Sequence, residues 1–154
     1  MASPTMSYLI CSVALIVLIL VMPFFFEIQR NGFADQMTRR QLTEIADYTS
    51  STLANLFFLA NSTNSLSISM TKELLYLPLT VDDSFYALNI TSVDGNVSKV
   101  TAYLKNEPWV AGDSWIVPGP KVPQEISLEI NSKSVIASCY GDSDGFYVSL
   151  GYGE

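Results

Sequence analysis

The stretch from Tyr8 to Phe26 reads YLICSVALIVLILVMPFFF, and no charged residue precedes Glu27. As a helix rising 1.5 Å per residue, this run reaches roughly 28 Å, about the hydrocarbon thickness of a bilayer. A cleavable secretory signal is the rival reading. Such signals carry a basic leading region and an apolar core of about 7–15 residues that ends at small residues. Here nothing basic precedes the run, the core is longer, and Met22-Pro23-Phe24-Phe25-Phe26 offers no small residue for a peptidase. The run is read as a retained transmembrane or filament-core helix covering residues 1–26.

Working outward from Phe26, the helix is expected to continue. Apolar residues recur at Ile28, Phe33, Met37, Leu42, Ile45, Tyr48, Leu53, Leu56, Phe57 and Ala60, mostly three to five apart. That is a helical stripe, with Glu27, Arg30, Asp35, Arg39, Arg40, Glu44 and Asp47 on the polar side. Met37 to Leu59 holds neither Gly nor Pro, and Glu44 follows Arg40 at the spacing of a helical ion pair. Two weak points lie upstream. Pro23 removes a backbone donor and is expected to kink the helix, and Asn31-Gly32 is a poor helix-forming pair. The polar cluster Asn61-Ser62-Thr63-Asn64-Ser65 ends the amphipathic segment, taken as residues 27–60.

Beyond this cluster the apolar period changes from 3.6 to 2. Tyr86, Leu88 and Ile90 alternate with more polar neighbours, and Asp94-Gly95 signals a hairpin into Val100, Ala102 and Leu104. Ile126, Leu128 and Ile130, then Val135, Ala137 and Cys139, then Phe146, Val148, Leu150 and Tyr152 repeat the alternation. Leu66 to Met70 and Glu73 to Leu77 are candidates for one or two more strands. Short strands separated by turn residues indicate a small antiparallel β-sandwich over residues 66–154. The expected fold class is α+β: one long N-terminal helix, then this sandwich. About 90 residues suffice for one small core.

Composition excludes several functions. The chain of 154 residues has a net charge of −7 and no histidine. The missing imidazole removes the commonest general base and the usual transition-metal ligand, so Ser–His and Cys–His chemistry is excluded. Beyond Leu66 acids outnumber lysines and arginine is absent, which argues against nucleic acid as a partner. No catalytic residue and no cofactor are expected. Cys11 and Cys139 are read as two buried, unpaired small apolar residues.

A greasy helix that continues as an amphipathic spine and carries a small β-domain resembles the plan of type IV pilins. The opening Ala2-Ser3-Pro4-Thr5-Met6 is similar to the start of mature archaeal type IV pilins, and the β-domain is similar in outline to that of archaellins and archaellum stator-type accessory proteins. Ser followed by Pro is also simply a good helix start. Two departures are visible. Only Met1 precedes Ala2, where the family's precursor carries a short basic leader, and Thr5 and Met6 occupy the region of the glutamate of bacterial pilins. The resemblance implies a structural, non-enzymatic subunit of a surface filament, packing against copies of itself through its N-terminal helix. The alternative is an uncleaved, membrane-anchored accessory whose β-domain binds another envelope or filament protein.

Candidate sites follow from these readings. Ser7, Cys11, Ala14, Leu18, Phe25 and Ile28 are the expected helix-packing residues, with intermolecular packing for residues 5–35 and docking on the chain's own domain for residues 40–60. Three glycosylation sequons begin at Asn61, Asn89 and Asn96, of which Asn89 falls within a strand. Asp142 and Asp144 resemble the first half of a calcium loop, yet Gly153 stands where its bidentate glutamate belongs, so a plain turn explains them equally well. Asp82-Asp83 reads as a solvated pair. Trp109 and Trp115 are read either as covers for the end of a core or as binding anchors. Arg30, Arg39 and Arg40 after the apolar run favour an inward domain by the positive-inside rule, whereas the sequons, the acidic domain and the family plan favour an outward one. The expected location is the cell membrane with an extracellular domain, or an extracellular filament.

Overall fold

The computed structural model describes residues 4–63, 67–93, 97–123, 125–130 and 133–153, with the backbone alone at 4, 5, 29, 31 and 97. A single helix, α1, runs from Pro4 to Ser62, through Pro23 and through Asn31-Gly32. Among the described residues seven strands follow: β1 (Ser69–Glu73), β2 (Tyr86–Val93), β3 (Val97–Leu104), β4 (Ala111–Trp115), β5 (Ile126–Glu129), β6 (Val135–Asp142) and β7 (Gly145–Tyr152). They form two antiparallel sheets, one ordered β1-β6-β7 and the other β4-β3-β2-β5. The α+β expectation holds: one long helix, then two open antiparallel sheets. The chain divides into two compact units, Met1–Met37 and Thr38–Glu154.

In the second unit the helix is part of the core rather than a spine laid against it. Leu42, Ala46, Leu53 and Ala60 are fully buried, and Ile45 and Leu56 nearly so. They join one cluster with Leu88, Ile90, Val100 and Ala102 of one sheet and Ala137, Cys139, Val148 and Leu150 of the other. Burying one Leu side chain contributes about 1.5–3 kcal/mol, so these helical residues carry a large share of the domain's stability. Burial extends beyond the apolar stripe because the intervening positions are small hydroxyl residues. Thr49 Oγ1 donates to the Ile45 carbonyl at 2.9 Å, and Ser50 Oγ lies 2.8 Å from Ser114 Oγ on β4. A hydroxyl satisfied in this way can enter a core without the cost of an orphaned polar group.

The helix meets both sheets. On β7, the Phe57 and Phe146 rings stand edge to face with centroids 5.7 Å apart. At β4 the approach is backbone to backbone: a Cβ added at Gly112 would collide with the Thr43 nitrogen and the Leu42 carbonyl carbon. Beyond Ser62 the last turn is closed by side chains, since Ser62 Oγ and Thr63 Oγ1 both donate to the Leu59 carbonyl. That is how the polar cluster after Ala60 stops the helix.

The strands follow the period-2 reading with three differences. β1 straddles the two anticipated segments, and Leu74 to Leu77 forms no strand. β4 was not anticipated, because Ala-Gly-Asp-Ser-Trp has little β-propensity; its glycine is there for the close approach to the helix. Tyr152, expected to face inward, is 40% exposed and donates its hydroxyl to the Glu129 carbonyl at 2.7 Å. The β2–β3 register runs from Tyr86↔Leu104 to Val93↔Val97, as the hairpin signal implies, while Asp94-Gly95 lies outside the described residues.

Candidate functional site

In the first unit the helix has no cover of its own. Every described side chain from Met6 to Ile28 is exposed, including Tyr8 at 81%, Leu9 at 65% and Phe26 at 64%. The segment is long and apolar enough to cross a membrane. Ser7, Cys11, Ala14, Leu18, Phe25 and Ile28, the anticipated packing residues, all lie on this segment. Cys11 is exposed rather than buried, correcting the expectation, because none of the described residues of its unit packs on it. An apolar groove on one side of the helix is lined by Ala14, Val17, Leu18, Val21, Met22 and Phe25.

The same helix presents a different surface in the second unit. From Thr38 to Ala60 its exposed positions are chiefly polar, with Arg39, Arg40, Gln41, Glu44, Asp47, Ser51 and Asn55 outward. Arg40 and Glu44 pair at 3.4 Å, both largely exposed. Arg39 Nη2 donates to the Trp109 carbonyl at 2.9 Å, and Thr38 Oγ1 donates to Asp82 Oδ2 at 3.3 Å. Asp82 and Asp83 are therefore more than a solvated pair. Both adopt left-handed backbone conformations, with φ of 50° and 57°, in a two-residue turn closed by reciprocal Val81–Ser84 hydrogen bonds.

Beside that turn lies a cleft of about 490 Å³ lined by Glu44, Ile45, Tyr48, Tyr76, Pro78 and Thr80, among others. The Tyr48 and Tyr76 rings meet edge to face at 5.9 Å, and Tyr76 is 82% exposed. Tyr86, buried behind the same loop, donates its hydroxyl to the Pro78 carbonyl at 2.7 Å, and burial pushes its phenol well above the ordinary tyrosine range. The cleft was not visible in the sequence. Tyr48 read as one more stripe residue, and Tyr76 sat in a stretch that looked like a strand.

The remaining sequence candidates are scattered. Asn61 is exposed on the helix's last turn. Asn89 lies in β2 and donates from Nδ2 to Glu125 Oε1 at 3.1 Å, while its Oδ1 is buried with no partner among the described residues. Asn96 lies outside the described residues. Asp142 ends β6, where its Oδ1 accepts the Ser143 amide at 2.7 Å, and the Asp144 carbonyl accepts Lys121 Nζ at 3.0 Å. Gly145 completes that turn with φ of 131°, which glycine adopts without strain. Among the described residues no cluster of three or more metal-ligating side chains occurs. Trp109 and Trp115 are 68% and 57% exposed and do not cap a core.

On the outer face of the four-stranded sheet, Asp113 accepts a hydrogen bond from Thr101 Oγ1 at 2.8 Å and ion-pairs with Lys99 at 2.8 Å. Partial burial raises its pKa, but the Lys99 and Thr101 hydrogen bonds and the Lys99 charge outweigh it and hold the carboxyl below its ordinary value. Burial pushes the Cys139 thiol up, away from the reactive thiolate. No family model matches this chain, and neither the curated proteins nor the solved structures contain a match to it.

Proposed function

We propose that this chain is the structural subunit of a surface filament of the type IV pilin-like kind, anchored first in the membrane and then packed through its N-terminal helix against copies of itself. The observation that carries the reading is the contrast within one helix. The part beyond Thr38 buries its apolar side chains in the chain's own core except Phe58 and Leu59, whereas the part before Ile28 leaves all of its described side chains uncovered. Apolar surface on that scale must be taken up by lipid or by other helices. A subunit that begins in the bilayer and ends in a filament core uses both in turn. The acidic domain then faces outward, with Asn61 and Asn96 as candidate glycan sites. Its role is structural rather than catalytic, and archaeal type IV pilins and archaellins are the family whose plan it follows.

Electron microscopy of cells producing the chain, against cells lacking it, is the test. Filaments present only in the producing cells, and decorated by an antibody to the β-domain, are expected. Protein found only as discrete particles in the membrane refutes filament assembly. One observation favours the alternative, a membrane-anchored accessory whose domain binds another envelope or filament protein. Leu75, Tyr76 and Leu79 are 71%, 82% and 60% exposed on one loop beside the cleft, an apolar surface suited to a protein partner.

A further inference from the structure

The cleft beside the Asp82-Asp83 turn has walls of one chemical kind. Tyr48 follows Glu44 by four residues, so its ring and the Glu44 carboxylate lie one helical turn apart on the same face of α1. The loop brings Tyr76 and Pro78 against them, and Ile45 and Val81 supply further apolar lining. The two tyrosine rings stand at 79° with centroids 5.9 Å apart, so their faces form two walls of a corner rather than one flat platform. Tyr76 is 82% exposed, and core burial does not explain where its ring stands. Among the described residues lining the cleft, Glu44 carries the one charge, and no lysine or arginine is present. Arg40, which pairs with Glu44 at 3.4 Å, is not part of the lining. That pair is largely exposed on both sides, hence weak enough for a second cation to share the carboxylate.

We propose that this cleft binds a small organic cation, an alkylated ammonium compound held between the Tyr48 and Tyr76 ring faces and the Glu44 carboxylate. The face of a tyrosine ring is the negative part of its quadrupole and attracts a cation within about 6 Å of the centroid. Two faces near a right angle are both within reach of one tetrahedral ammonium, whose methyl groups also pack on the rings. Three other ligand classes fit less well. An anion meets the Glu44 charge and finds no cation to balance it. A sugar ring stacks on a flat aromatic face, which two rings at 79° do not make. A bare metal ion such as calcium needs about six to eight oxygen ligands, and the lining offers one carboxylate. From Thr38 onward seven Lys and Arg stand against thirteen Asp and Glu, and this net charge of −6 draws cations toward the domain. The inference is independent of filament assembly, since every residue it uses belongs to the second unit.

Saturation-transfer NMR on the methyl protons of choline, with the full chain in a maltoside detergent, tests it. The comparison ligand is dimethylbutanol, the neutral carbon isostere of choline. Choline is expected to bind saturably and to be displaced by tetramethylammonium, and dimethylbutanol to bind about fivefold more weakly, the loss of a cation–π attraction at a partly exposed site. Tyr76→Leu and Glu44→Gln are each expected to weaken choline about fivefold, while Tyr76→Phe, which keeps the ring, binds like the native chain. Both positions are largely exposed, so these variants leave the core intact. Three results overturn the proposal: no saturable choline binding, dimethylbutanol binding as tightly as choline, or undiminished binding in either Tyr76→Leu or Glu44→Gln.

Discussion

Replacing Gly112 by alanine tests the claim that the helix is a structural part of the β-domain. The added Cβ would strike backbone atoms of Thr43 and Leu42, and backbone in the middle of a helix cannot rotate aside as a side chain can. Relief requires β4 or the helix to shift, which also disturbs the Ser50–Ser114 contact nearby. Overpacking of this kind costs about 1–3 kcal/mol, and the rigidity of both partners places Gly112→Ala at the upper end. For a domain of this size each kcal/mol lowers Tm by roughly 4 °C, so a fall of about 8–12 °C is expected. The control is Gly151→Ala in β7, where nothing lies within 4 Å of the added atom. Alanine is favoured over glycine in a strand by roughly 0.5–1 kcal/mol, so the control is neutral or slightly stabilising. Thermal unfolding of the full chain in detergent, followed by near-ultraviolet circular dichroism, reads both. Equal Tm values for the two variants would refute the backbone-to-backbone packing of helix and sheet.

Two further predictions concern single interactions in the same unit. The Asp113 carboxyl titrates below its ordinary value in the folded state, so its contribution is full above the unfolded pKa near 3.8 and is lost as pH falls through the folded pKa. With the Asp113 side chain 46% exposed, the pair is worth less than about 1 kcal/mol. Asp113→Asn is therefore slightly less stable than the native chain in urea at pH 7, with the gap narrowing as pH falls below 3.8, and a gap that does not narrow in acid would show that something other than charge is at work. Asp83 sits at φ 57° in a turn that favours glycine at its second position. Asp83→Gly relieves that backbone strain at some entropic cost and is expected to stabilise by about 0.5 kcal/mol, measured as a higher urea midpoint with an unchanged slope; a lower midpoint would mean that the Asp83 side chain holds the loop.

What the sequence made legible was whatever repeats. The apolar run, the helical stripe and the alternation at Tyr86-Leu88-Ile90 or Val135-Ala137-Cys139 each sum a weak preference over many residues, and each element is found. Features that depend on a single contact were not legible. β4 is a strand because β3 pairs with it and because Gly112 lets it touch the helix, and neither fact is local to Ala-Gly-Asp-Ser-Trp. The Tyr48–Tyr76 cleft joins a helix to a loop from another part of the chain, so no pattern along the sequence could mark it. Thr49 and Ser50 interrupt the apolar stripe. Only their hydrogen bonds to Ile45 and Ser114 reveal that burial continues through them.

That last point bears on where partners can bind. Had the helix merely rested on its domain, its second half would have kept an apolar flank, and contacts between copies could have run along its whole length. Instead Leu42, Ile45, Ala46, Thr49, Leu53 and Leu56 are spent inside the chain's own core, and the outward line of Glu44, Asp47, Ser51 and Asn55 is polar. Charged and hydroxylated positions of this kind give little association energy when exposed. Phe58 and Leu59 are the only large apolar side chains exposed on this half among the described residues, and both sit in its last two turns. On the proposed reading, self-association through the helix therefore falls to the residues before Thr38. Among the described residues there, the apolar run offers a continuous apolar surface. On the proposed reading, substitutions that weaken helix-to-helix assembly without unfolding the domain fall before Thr38, whereas one at Leu53 unfolds the domain.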